Sequence, residues 1–197
     1  MAKLGQTPSQ TVGPYFAYGL TPEQYGYDFG RLADGTVVTA NAKGEHIRIE
    51  GRVLDGEGNP ITDAMIEIWQ ADGEGRYAHP PNPHRPNTTF TGFGRFGTGT
   101  DPSNRFIFET VKPASIDGKH APHINVIVFM RGMLLHAYTR IYFAEESALN
   151  EKDPVMQSVP PERRGTLLAR RTQWAAKALY RWDIHMQGEA ETVFFDA

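Results

Sequence analysis

Apolar and polar residues alternate along much of the chain, with the period of a strand that buries one face. His46–Leu54 reads HIRIEGRVL, with Ile47, Ile49 and Val53 on one face and Arg48, Glu50 and Arg52 on the other. The cluster Asp55-Gly56-Glu57-Gly58-Asn59-Pro60 then predicts a turn. Ala64–Gln70 (AMIEIWQ) predicts a second strand, with Ile66 and Ile68 facing one way, and Arg105–Val111 (RFIFETV) a third. His123–Met130 (HINVIVFM) is almost continuously apolar, which predicts a fourth strand buried on both faces. Leu134–Phe143 and Tyr180–Met186 predict two more, and Thr192–Phe195 a short terminal one. Short strands between regular turn signals predict a mainly β chain folded as a β-sandwich.

Three stretches break the alternation. Gly73–Gly99 is rich in Gly, Pro, Asn, Thr and His and reads as a long loop, of a length usually functional or packed on a partner. In Asp153–Arg171, Pro160-Pro161-Glu162 is a helix start and Arg163–Arg171 holds good helix formers, predicting one short helix. The first forty or so residues show no period; they predict an extended N-terminal arm over 1–45, and such arms need a surface to lie on. Residues 46–197 are then the β-sandwich core of a single domain, with no internal repeat.

Composition narrows the functions open to such a sandwich. A chain of 197 residues is long enough to bury a real core. A formal charge of −3 gives no electrostatic footprint for nucleic acid. With no cysteine, thiolate metal sites and disulfides are excluded, which points to a reducing cytoplasm. Met1–Pro8 lacks a long apolar run, which predicts no signal peptide, and no apolar run is long enough to cross a bilayer.

The seven histidines form no HExxH motif and no close pair two apart. His123 opens the apolar strand, and its neighbour on the same face is Asn125, a poor ligand for a transition metal. A partly buried histidine with a hydrogen-bond partner is the better reading of His123 than a ligand. A site of two histidines and a carboxylate is not excluded by counting, but no spacing favours it. No GxSxG elbow supports a serine hydrolase. Gly92–Gly97 spells GxGxxG inside an aromatic loop, where a dinucleotide site does not form. Arg131, just after the apolar strand and before Gly132, reads either as a solvated hairpin arginine or as a guanidinium fixed at a pocket mouth for an anion.

Several strings, in order over nearly the whole chain, resemble the intradiol ring-cleavage dioxygenases, in the branch built from α and β chains. They are Thr7–Tyr15 (TPSQTVGPY), Ala64–Asp72 (AMIEIWQAD) with Gly75-Arg76-Tyr77, Thr110–Pro113 (TVKP), Ala121–Phe129 (APHINVIVF) and Gly188–Phe195 (GEAETVFF). The resemblance implies a β-sandwich, αβ protomers gathered into a larger oligomer, and a ferric ion held in the catalytic chain by two tyrosines and two histidines. Here one tyrosine position falls near His84-Arg85, the second reads Ala114-Ser115-Ile116, and the His-Ile-His string reads His123-Ile124-Asn125. Ile116, His123 and Asn125 are thus degenerate positions, and one imidazole does not hold Fe(III) against water. The resemblance therefore implies an iron-free α chain, with Fe(III) on a partner β subunit and 3,4-dihydroxybenzoate and O2 as substrates. It implies substrate-pocket roles, shared with β, for Thr11, Gly13, Pro14, Tyr15 and Arg131; the plainer reading of Thr11–Tyr15 is an arm that only ties subunits together. Two other readings stay open: a self-sufficient oxygenase with an unrecognised iron site, and a non-enzymatic sandwich that binds a small molecule.

Overall fold

In the computed structural model of the chain, the residues described are 11, 13–28, 30, 32–85, 89–174 and 177–196. Among them are strands β1 (His46–Leu54), β2 (Met65–Gln70), β3 (Phe93–Gly97), β4 (Arg105–Val111) and β5 (His123–Phe129). β6 (Ala137–Phe143), β7 (Leu168–Trp174), β8 (Lys177–Arg181) and β9 (Ile184–His185) follow. Their hydrogen bonds trace one path, β3-β2-β5-β6-β7-β8-β1-β4, with β9 beside β1. β6 and β7 pair only through Tyr142 with Leu168 and Phe143 with Ala169. At this short junction the path folds over, giving the expected mainly β sandwich in a nearly closed, barrel-like form.

Alternation fills the space between the layers. Ile47, Ile49 and Val53 from β1 share one core with Ile66 and Ile68, Phe106 and Phe108, and Ile124, Val126 and Val128. All are buried, and each contributes about 1.5–3 kcal/mol by leaving water. One polar bridge crosses this core. The buried Gln70 amide donates to Val111 O at 2.8 Å and Ala71 O at 3.0 Å, and accepts from Thr110 Oγ1 at 2.8 Å. A buried amide satisfied on both ends ties β2 to β4 and penalises any slip between them.

The structure departs from the sequence expectation in several places. β5 is fully buried on one face only: Ile124, Val126 and Val128 point inward, while Asn125, Ile127 and Phe129 on the other face are half-buried. The arm is not extended throughout. Helix α1 (Pro14–Leu20) and a 3-10 turn (Pro22–Tyr25) form within it. Pro14 sits at the first helical turn, where its fixed φ is favourable. No period announced this helix because it buries so little: Tyr15, Phe16 and Tyr18 are all exposed. Further on, Val37 and Val38 N–H both donate to Glu109 O, so this segment lies against β4.

The single helix expected within Asp153–Arg171 becomes two pieces and a strand. After the short helix α2 (Ser147–Asn150), Asp153 caps α3 (Pro154–Ser158). A 3-10 turn (Pro161–Leu167) leads directly into β7. Met156, Val159 and Leu167 pack with Tyr142 and Ala121 in a second small core, and that burial outweighs helix propensity. β3 lies hidden in the expected long loop. Glycine stands at its position 94, where an added Cβ would come within 2.5 Å of Val37, so the apolar alternation that marks a strand is missing. Tyr180–Met186 is interrupted at Trp182-Asp183. There Asp183 Oδ1 takes the N–H of Arg52 at 2.8 Å in place of a ladder bond. Thr192–Phe195 makes a single bridge, Phe195 to Tyr138, and no continuous strand.

Candidate functional site

Two groups of residues were singled out by sequence, and the structure sets them in different surroundings. The first lies where the arm meets the hairpin between β5 and β6. Thr11 Oγ1 donates to Met130 O in a long hydrogen bond of 3.5 Å. The next residue, Arg131, has a side chain 62% exposed. Gly132 follows at φ +86°, a conformation that lets the chain turn immediately after the arginine. The Arg131 Nε donates to the carboxylate of Asp63. Arg131 is therefore neither a free hairpin arginine nor a buried one; it is an exposed guanidinium held by one nitrogen.

Gly13 is the N-cap of α1, with its carbonyl accepting from Phe16 N at 3.1 Å. Tyr15 is 83% exposed at the start of that helix. Its ring lies 6.2 Å from Tyr18, which in turn lies 4.7 Å from Tyr25 and 5.8 Å from Tyr27. The cluster is clamped to the sandwich by Gln24. Its amide nitrogen donates to Gly97 O at 3.0 Å, and its oxygen accepts from Gly97 N at 2.8 Å. Burial, then Tyr18, then Asp63 raise the pKa of Tyr25, so the phenol stays protonated. The structure thus ties Thr11 to Met130, the residue before Arg131, and leaves Tyr15 at the far end of the Tyr25–Tyr18–Tyr15 ring contacts.

The second group lies on the outer face of β5. His123 is buried, and its Nδ1–H donates to Ala121 O at 2.8 Å, since a carbonyl can only accept. This leaves Nε2 as an acceptor in the neutral ring. Burial lowers its pKa; the Ala121 bond opposes this, and Arg140 adds to the lowering. The Asn125 amide donates to Trp69 O at 3.2 Å and to the Tyr77 hydroxyl at 3.1 Å. Tyr77 stacks on Trp69, with ring centres 5.6 Å apart and planes 18° off parallel. Arg140 sits directly across from Asn125 on β6. Ile116 is partly exposed in the loop before β5, and His84 is exposed in the loop after β2.

These residues do not fit a ferric ion. Ile116 has no donor atom, the Asn125 nitrogen is already bonded within the chain, and on β5 only His123 offers an imidazole. Among the described residues no group of three or more His, Cys, Asp or Glu comes together. The face is held by a residue the sequence reading missed. Asp153, fully buried, accepts from Ala121 N at 2.8 Å and from Tyr142 OH at 3.1 Å, besides capping α3 through Val155 N and Met156 N. An acidic residue directly before Pro154 is a helix-start signal that could have marked it. Asp63 and Arg140 carried no such signal.

The sandwich, with its arm, its β5–β6 hairpin and its histidine-bearing strand, is that of an enzyme-family domain. A family profile described as Dioxygenase matches residues 13–188, and the chain belongs to this family, the intradiol ring-cleavage dioxygenases. It is 54% identical, over 197 residues and 100% of both chains, to the protocatechuate 3,4-dioxygenase alpha chain of Burkholderia cepacia. To the beta chain of that enzyme from the same organism it is 31% identical over 173 residues, covering 82% of this chain and 72% of the other. Among solved structures, the dioxygenase domain of a dioxygenase carbohydrate-binding protein fusion from Streptomyces sp. SirexAA-E superposes with a TM-score of 0.61. That match is 21% identical and covers 92% of this chain and 99% of the other, a likeness of fold. No helix among the described residues is long and apolar enough to cross a membrane.

Proposed function

We propose that this chain is the iron-free α subunit of a protocatechuate 3,4-dioxygenase. With a β subunit it catalyses cleavage of 3,4-dihydroxybenzoate by O2 between the two hydroxyl-bearing carbons, giving 3-carboxy-cis,cis-muconate in the cytoplasm. One observation carries the reading. The chain matches an alpha chain end to end, far better than the beta chain of the same organism, while the metal-ligand positions hold Ile116 and Asn125. The Fe(III) belongs to the β subunit, and αβ protomers assemble into a larger oligomer.

The work left to this chain is shaping and charging a shared pocket. Thr11, Gly13, Pro14 and Tyr15 bring a thin stretch of backbone and one phenol to the β subunit's site. Glycine and proline allow close, rigid approach to a flat ring. Arg131 supplies a positive charge for the substrate carboxylate. The exposure of Tyr15, Phe16, Leu134 and Leu135 supports this reading, because an apolar surface around an arm and hairpin suits a partner chain.

Iron content and protocatechuate-dependent O2 uptake test the proposal, measured for the chain alone and co-expressed with a β chain. Stoichiometric iron and uptake are expected only in the pair. Iron and activity in the lone chain would overturn it.

A further inference from the structure

Asp63 touches one residue assigned to the shared pocket, Arg131, yet no pocket role has been assigned to it. It lies in the turn before β2, with a side chain only 22% exposed, and it receives the Nε of Arg131. A guanidinium gripped at Nε keeps its two terminal nitrogens free and fixes the plane in which they lie. Met130, which precedes Arg131, accepts the hydroxyl of Thr11. Asp63 also acts on Tyr25 of the arm through its charge. Tyr25 places its hydroxyl about Gly99 and Thr62, so near that a Cβ on Gly99 would stand 3.0 Å from it and 2.5 Å from Thr62 O. From Tyr25 the ring contacts lead through Tyr18 to Tyr15. One carboxylate therefore holds Arg131 on the hairpin and acts through its charge on Tyr25 of the arm.

We infer that Asp63 is a positioning residue for the substrate carboxylate, acting through Arg131. This rests on the proposed pocket role of Arg131. Two effects of Asp63 oppose each other, and they differ in sign. Its negative charge repels an anionic substrate, so by field alone its removal would tighten binding. Its bond to Nε holds the guanidinium in place, so by positioning its removal weakens binding. The side chains are partly exposed, where the field of a single charge is screened by water. The positioning effect is the larger.

The test is steady-state kinetics with 3,4-dihydroxybenzoate on co-expressed αβ enzyme, comparing Asp63→Asn, Asp63→Glu, Arg131→Ala and the double variant Asp63→Asn/Arg131→Ala. Asp63→Asn is expected to raise KM about three-fold with kcat within about two-fold, the size of an exposed ion pair. Asp63→Glu restores most of the loss, and Asp63→Asn adds nothing once Arg131 is gone. KM does not depend on the amount of assembled enzyme, so partial loss of folding does not hide the result. A KM that is unchanged or lower in Asp63→Asn, or an equal rise in the Arg131→Ala background, overturns the inference while leaving the pocket role of Arg131 intact. An unchanged KM in Arg131→Ala overturns that role, and the inference with it.

Discussion

The outer face of β5 and the junction of the arm with the β5–β6 hairpin hold the residues singled out by sequence, and they are built in opposite ways. Around His123 the polar groups are spent inside the chain. Nδ1 goes to Ala121, the Asn125 amide to Trp69 and Tyr77, and the Tyr142 hydroxyl to Asp153. Around Arg131 the side chains are exposed: Tyr15 at 83%, Leu134 at 67% and Leu135 at 68%. A face that has turned its donors and acceptors on itself serves the fold. A face that leaves aromatic, apolar and cationic groups in water fits the proposed contact with a β subunit. On the proposed reading, this is how a sandwich without a metal centre keeps a role in the reaction, at the edge that would meet the β subunit.

The sharpest way to break this comparison is Asp153→Ala. Its carboxylate accepts four bonds at zero exposure, so its removal strands the Ala121, Val155 and Met156 N–H groups and the Tyr142 hydroxyl. The expected loss is about 3–5 kcal/mol, the range for removing one partner of a buried polar network. A denaturant titration reads it as a lower midpoint at unchanged slope. A loss within about 0.5 kcal/mol, the range of ordinary surface changes, would show that the face is not load-carrying. Arg131→Ala should do the reverse, altering KM with almost no shift in midpoint.

Periodicity made most strands readable, because burial on one face writes itself into alternating residues. His46–Leu54 and Arg105–Val111 begin and end where the alternation does. It failed where packing does not depend on side chains. β3 lies against Val37 through glycine, and α1 buries too little to leave a stripe. β7 begins among good helix formers, and its pairing with β8 and β6, with Leu167 buried beside Tyr142 and Met156, decides against a helix. Of the site, the side chains at the three positions were legible as residue types, Ile116 without a donor atom and Asn125 without an imidazole. The contact of Asp63 with Arg131 was not, because they stand sixty-eight positions apart and only the fold brings them together.

A second way to sharpen the comparison is Asn125→His, which restores an imidazole beside His123. If the face has become structural, two imidazoles without the missing oxygen donors should still hold no stoichiometric iron after dialysis. The variant should also lose about 1 kcal/mol, because the Asn125 amide bonds two groups at once. Metal analysis and a denaturation midpoint check both. Tight iron in the single variant would mean the old centre is one substitution from return.

The smallest effect concerns protons. Burial holds the pKa of His123 below its ordinary value, with Arg140 and His120 reinforcing and Ala121 and Asp153 opposing. In the unfolded chain the same ring protonates near pH 6.5. As pH falls below that value, the unfolded state binds a proton that the folded state refuses, so stability falls with pH until the folded pKa is passed. One such proton contributes a slope of at most about 1.4 kcal/mol per pH unit. His123→Gln, neutral throughout, should remove that share of the slope between pH 6.5 and 5 and leave stability at pH 8 nearly unaltered by protonation. Denaturation midpoints across this range read the difference. An identical slope in both proteins would mean that His123 takes up its proton without leaving the fold. The outer face of β5 would then be as open to water as the arm, and the contrast between the two regions would rest on Asp153 alone.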